Sequence, residues 1–232
     1  MARHAAGTTA LRRAVVALAA DSVAPDAQGG LWWEQRQAES VRNAAGVSKD
    51  LRDGVRESIE IIANEVVHRR KDQGLEPLPD DQAQVLAVQS LRYLYRILFL
   101  LYAEASPRLG ILPSGDPDYT AGYSVDRLRE LTLKPLTTRS ERGTHFYDSL
   151  QVLFRLAQSG HRPAFDPQGT QLREGLRFEG LSSDLFQEHR TALIDEVGLG
   201  NGALQEVLRR LLLTKERKGR QRGFISYVAL GM

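Results

Sequence analysis

The sequence predicts a mainly α fold: an irregular helical domain of roughly five to six helices joined by Pro- and Gly-rich loops, with room for one minor β-hairpin. Three observations lead there. Apolar residues return every three or four positions in several long stretches, as on one face of a helix. Clusters of Pro and Gly separate those stretches. Only one short segment alternates in the manner of a strand, and one strand cannot make a sheet alone.

The first clear helix is expected over Ser48 to Gly74, where Leu51, Val55, Ile59, Ile62 and Val66 keep the helical period. Ser48 can cap its start. His68, Arg69, Arg70 and Lys71 sit where positive charge suits the helix dipole, and Gly74 offers a left-handed stop. That basic run reads first as helix termination and only second as a DNA contact. Pro79 and Asp80 then open the strongest helix, Asp81 to Ala105, with Leu91, Leu94, Tyr95, Leu98, Phe99, Leu101 and Tyr102 covering more than one face. A helix apolar on most sides belongs in the middle of a core. Pro107 ends it.

Leu109 to Ser124 holds Pro113, Gly115, Pro117 and Gly122 and reads as an ordered surface connection, anchored by Tyr119 and Tyr123. Ser124 can cap a short helix carrying Leu128, Leu131 and Leu133, which Pro135 ends or kinks. Another helix fits His145 to Ser159, with Phe146, Leu150, Leu153, Phe154 and Ala157 on one side and Gly160 as its stop. His161 to Gly175 is a loop. Leu176 to Leu181 is the candidate strand, with Phe224 to Val228 as a conceivable hairpin partner. The last helix starts near Gly202, shows Leu204, Val207, Leu208, Leu211 and Leu212, and has Gly219 beyond it.

Composition fits a packed domain: 42% hydrophobic and 26% charged residues over a length of 232 leave little room for disorder outside the first thirty or so positions. A net charge of +2 announces no polyanion partner, so any nucleic-acid surface must come from local clustering. The chain has no cysteine, which excludes disulfides and thiolate metal sites and fits a reducing cytoplasm. The longest apolar stretch, Ile97 to Ala103, falls well below the ~20 residues of a membrane span, and no transmembrane segment is expected. Arg12 and Arg13 before Ala14 to Ala20 resemble an export signal faintly; an Ala-rich helix or a read-through start explains them better.

Motifs for catalysis are sparse. Gly198-Leu199-Gly200-Asn201-Gly202 looks like a phosphate turn, but no strand precedes it, so a capping loop with Asn201 as the cap is the expected role. His4, His68, His145, His161 and His189 are scattered, without metal-ligand spacing. Pro79-Asp80 with Glu216-Arg217-Lys218 makes only a chance-level nuclease triad. No Gly-x-Ser-x-Gly elbow exists. Trp32-Trp33 reads as packing at a domain edge rather than a base-stacking pair. The best physical signal is the basic cluster Arg209, Lys215, Arg217, Lys218, Arg220 and Arg222, whose cations can neutralise phosphates and release counterions. A solvated helix terminus would show the same residues.

Leu91-Arg92-Tyr93-Leu94-Tyr95-Arg96-Ile97-Leu98-Phe99-Leu100-Leu101-Tyr102-Ala103-Glu104, followed by Gly110-Ile111-Leu112-Pro113, resembles the helical region before the catalytic domain of large type IIG-like adenine-specific DNA methyltransferases, including those of DISARM and BREX defence systems. Gly143-Thr144-His145-Phe146-Tyr147-Asp148-Ser149-Leu150 is similar to the same family. So are Val197-Gly198-Leu199-Gly200-Asn201-Gly202-Ala203-Leu204-Gln205 and Arg220-Gln221-Arg222-Gly223-Phe224-Ile225-Ser226-Tyr227. Specificity lies in their succession from about Leu31 to Met232.

The resemblance implies a bacterial enzyme that methylates adenine with S-adenosylmethionine, marking host DNA against restriction or phage defence. The chain departs from the pattern at its centre. Such enzymes hold the cofactor on a glycine turn after a strand and grip a flipped adenine with an Asn/Asp-Pro-Pro-Tyr/Phe motif. Asn43, Asn64 and Asn201 are not followed by proline, and no Asp-Pro-Pro occurs, so no catalytic or cofactor residue carries over.

Residues 1–30 are therefore expected to be a variable or poorly ordered segment. Residues 31–232 are expected to be a helical connector preceding a methyltransferase domain that the chain lacks, whether the gene is truncated or split or the sequence partial. Apolar surface for that domain is expected near Phe224 to Leu230. The expected partners are duplex DNA and the missing domain or its split-gene counterpart; no cofactor or metal is expected on this chain. A stand-alone adaptor that docks a defence protein without DNA is the alternative.

Overall fold

The computed structural model of the protein describes residues 32–162, 176–213, 225 and 227, with side chains from Asp50 onward. The chain divides into two compact units, Met1–Lys49 and Asp50–Met232. The described residues are mostly helical. Helix α1 spans Trp32–Asp72 and α2 spans Ala83–Ala105, preceded by a 3-10 turn at Asp80–Gln82. Short helices α3 (Pro117–Gly122), α4 (Val125–Thr132) and α5 (Thr138–Glu141) lead to α6 (His145–Ser159). Two 3-10 turns, Asp184–Phe186 and Glu188–Thr191, precede α7 (Ala192–Val197) and α8 (Asn201–Leu212).

Helix α1 begins well before Ser48, the expected cap, which lies inside it. Glu34, Gln35, Arg36, Gln37, Ala38 and Glu39 all favour helix, and nothing among them breaks it. Helix α6 follows the expected bounds, with Gly160 at φ +71° closing it. Ser124 caps α4 as expected, its hydroxyl accepting from the Asp126 amide. Between α2 and α4 the connection is more regular than its Pro and Gly content predicts. Asp116 accepts from the amides of Asp118 and Tyr119, and Pro117 is pre-set for the first turn, so α3 forms there.

The candidate strand is corrected too. Phe178 pairs with His161 in an isolated antiparallel bridge, with amide-to-carbonyl bonds of 2.9 and 3.0 Å, rather than with the segment Phe224 to Val228. Of that segment only Ile225 and Tyr227 are described: the Ile225 amide donates to the Leu212 carbonyl, and the Tyr227 hydroxyl to that of Leu211. Both side chains are buried rather than exposed.

The core is built around α2, where Tyr93, Leu94, Ile97 and Leu100 are fully buried. Phe146, Leu150, Leu153 and Phe154 of α6 and Leu204, Val207, Leu208 and Leu211 of α8 complete it. Each such side chain contributes about 1.5–3 kcal/mol on leaving water. Helix α2 is nevertheless not covered all round: Val85, Val88, Tyr95 and Tyr102 stand exposed. By length and composition α2 with its preceding turn could cross a membrane, at a mean hydropathy of 1.3, and half of that stretch is buried within the fold. Ile62 and Val66 of α1 are buried as well. At Gly54 an added Cβ would lie 2.9 Å from the Arg210 carbonyl oxygen, so only glycine lets α1 and α8 approach this closely.

Candidate functional site

Among the described residues, the polar chemistry concentrates where α2, α6, α7 and the two 3-10 turns before α7 meet. Arg96 is the largest fully buried side chain. Its Nε donates to the Leu185 carbonyl, Nη2 to the Gln187 carbonyl and Nη1 to the Thr191 hydroxyl, each at 2.8 Å. The guanidinium also lies over the Phe154 ring, 5.4 Å from its centre. Thr191 passes the link on, donating to Asp195 Oδ2 at 2.6 Å. Asp195 Oδ1 accepts from the Tyr147 hydroxyl at 2.8 Å and from Gln151 Nε2 at 2.6 Å. A buried cation thus reaches its balancing carboxylate through one hydroxyl.

Burial lowers the Arg96 pKa, with Asp195 opposing the shift. Burial and the Asp195 charge together raise that of Tyr147. The helix period sets the geometry, since Tyr147 and Gln151 lie one turn apart on α6, as Thr191 and Asp195 do at α7. A cleft of about 630 Å³ opens beside the network, lined by Tyr147, Gln151, Arg155, His189 and Asp195 among others. Both Asp195 oxygens accept hydrogen bonds, so the carboxylate fixes α6 against α7. No cluster of three or more His, Cys, Asp or Glu able to hold a metal ion occurs among the described residues.

Glu104 is a second half-buried carboxylate. Its oxygens accept from the Tyr119 hydroxyl, the Ser124 hydroxyl and the amides of Val125 and Asp126, so it braces the start of α4 from the end of α2. Burial raises its pKa, and these donors pull the other way.

The glycine turn before α8 is occupied from within the chain. The Gly200 amide donates to Glu65 Oε1 at 3.0 Å, and a Cβ on Gly200 would sit 2.6 Å from that oxygen. A carboxylate of α1 thus takes the place a phosphate would need at this helix N-terminus. Asn201 does not cap α8, whose N-cap is Gly200. It is inside the helix, and its side chain serves the start of α6 by accepting from the Phe146 amide at 3.0 Å and donating to the Ser140 carbonyl at 2.8 Å. The basic end of α1 closes the helix as expected, with Arg70 Nε donating to the Glu76 carbonyl just beyond it, and it also reaches α7. Arg69 and Gln73 donate to the Val197 carbonyl at the end of α7, and Arg70 pairs with Glu196.

Of the candidate phosphate contacts, Arg209 lies on the last turn of α8, its Nε donating to the Thr132 carbonyl at 2.7 Å and its Nη1 3.8 Å from Glu206. Its neighbour Arg210 bonds Glu57 and Glu206. Lys215, Arg217, Lys218, Arg220 and Arg222 lie outside the described residues. Arg96, Glu104, Thr191 and Asp195 were not foreseen as functional positions; the signal in the sequence was Arg96 standing between Tyr93-Leu94-Tyr95 and Ile97-Leu98-Phe99.

No family model, curated protein or solved structure matches the chain.

Proposed function

We propose that this chain is a non-catalytic helical region of a bacterial adenine-specific DNA methyltransferase from a restriction-modification or phage-defence system. In this reading it works in the cytoplasm, braces the catalytic domain and touches DNA phosphates. S-adenosylmethionine belongs to the catalytic domain, supplied by the same gene or a split-gene partner.

One observation carries the reading: the four phrases that resemble the family are tied to one another. Asn201 of the third bonds Phe146 of the second. Tyr227 of the fourth lines the same small cleft as Glu104 of the first. Residues that in isolation suggest chemistry are engaged in holding helices together, as a scaffold requires. Arg209 stands in the last turn of α8, and the sequence continues into Lys215, Arg217, Lys218, Arg220 and Arg222; this basic stretch is where the reading puts phosphate contact.

Titrating the chain with duplex DNA over a salt series tests this. Weak affinity that falls with salt is expected, and replacing the five basic residues from Lys215 to Arg222 by Gln should flatten the log–log salt slope by up to about four. A folded chain that ignores DNA at low salt overturns the phosphate contact and leaves a role in docking protein alone.

A further inference from the structure

The outer face of α2 has a regular order, in which, among the described residues, only Phe99 also touches an aromatic ring of the core, packing edge-on against the buried Phe186. Val85 is 47% exposed, Val88 39%, Tyr95 49% and Tyr102 38%, while Arg92 and Phe99 are partly exposed between them. Together these six residues step by three, four, three, four and three positions, the spacing of a coiled-coil seam. The seam is about 26 Å long at the rise of a helix.

We propose that this seam is a homodimer interface, in which α2 packs antiparallel against α2 of a second copy of the chain. The argument for a second copy is that the seam complements itself when reversed. About a two-fold axis between Arg92 and Tyr95, Val85 faces the partner's Tyr102, Val88 faces the partner's Phe99, and Arg92 faces the partner's Tyr95. Each small residue meets a large ring, and the one cation meets an aromatic face. The spacing alone reads the same in either direction, so it is the matching of side-chain size in these pairs, repeated at both ends by a two-fold axis, that favours a second copy.

The test uses the whole chain. Sedimentation equilibrium should give a dimer at concentrations above ~10 µM, and Tyr95→Glu or Val88→Glu should weaken it by about tenfold or more with the helical circular-dichroism signal unchanged. Both side chains stand substantially in water, so neither change strains the fold. The chain has no cysteine, which makes direction measurable as well. A short bismaleimide should join Val85→Cys to Tyr102→Cys in a mixture of the two variants, and neither variant to itself. A chain monomeric throughout, a dimer indifferent to both glutamates, or a Val85→Cys variant that cross-links to itself as readily as to Tyr102→Cys overturns the proposal.

Discussion

Arg96 binds two backbone carbonyls and one hydroxyl from segments some ninety positions away, and no other cation can serve those acceptors at once. Arg96→Leu should therefore cost about 3 kcal/mol or more in urea unfolding, because Asp195 loses its counter-charge along with the bonds. Arg96→Lys should recover part of this, since an ammonium reaches fewer of the three. Glu104 behaves differently. Its folded pKa lies above that of the unfolded chain, so its contribution to stability is whole below pH ~4 and declines as pH rises through the raised value. Glu104→Gln keeps an acceptor oxygen, gains a donor for the Ser124 hydroxyl and carries no charge. Its stability relative to the parent should increase over that pH window in thermal melts, whereas Glu104→Ala should lose about 2 kcal/mol by stranding the Tyr119 hydroxyl and the Val125 amide. At this scale the sequence was least legible. An arginine inside Leu91 to Tyr102 signals a need for partners, but those partners are carbonyls in short turns, which carry no side-chain signature.

Elements were easier to read where periodicity and punctuation agree. Phe146, Leu150, Leu153, Phe154 and Ala157 before Gly160 define α6 unambiguously, and Ser124 marks α4. The start of α1 was missed because its first turns lack an apolar stripe while their residues still favour helix. The short α3 was missed because Pro117 and Gly122 read as loop when they serve as first-turn proline and final helical residue. The pairing of Phe178 with His161 depends on a contact that composition does not show. Gly160 has φ +71°, and a Cβ there would lie 2.7 Å from the Gly180 amide nitrogen and 2.8 Å from the Phe178 carbonyl oxygen. Gly160→Ala should thus lower stability by about 2 kcal/mol or more, through backbone strain and loss of the bridge that turns the chain after α6. Gly115→Ala meets no atom within 4 Å and should change the urea midpoint by less than about 0.5 kcal/mol equivalent.

Across the whole molecule the mainly α class followed directly from helical spacing, and α2 proved to be the element around which the core is built. Its open seam was hidden by the same apolar run, since a stripe facing the core and a stripe facing water look alike when every third or fourth residue is apolar. Helix α1 carries the longest links among the described residues, which its own periodicity does not show. Glu57 meets Arg210, Glu65 meets Gly200 and Arg70 meets Glu196, at separations of 153, 135 and 126 positions. A ribosome adding some 5–20 residues per second exposes α1 on the order of 10 s before α8 is made. Until then Glu57, Glu65 and Arg70 lack these distant partners, so the first of the described helices to be translated is among the last to be finished.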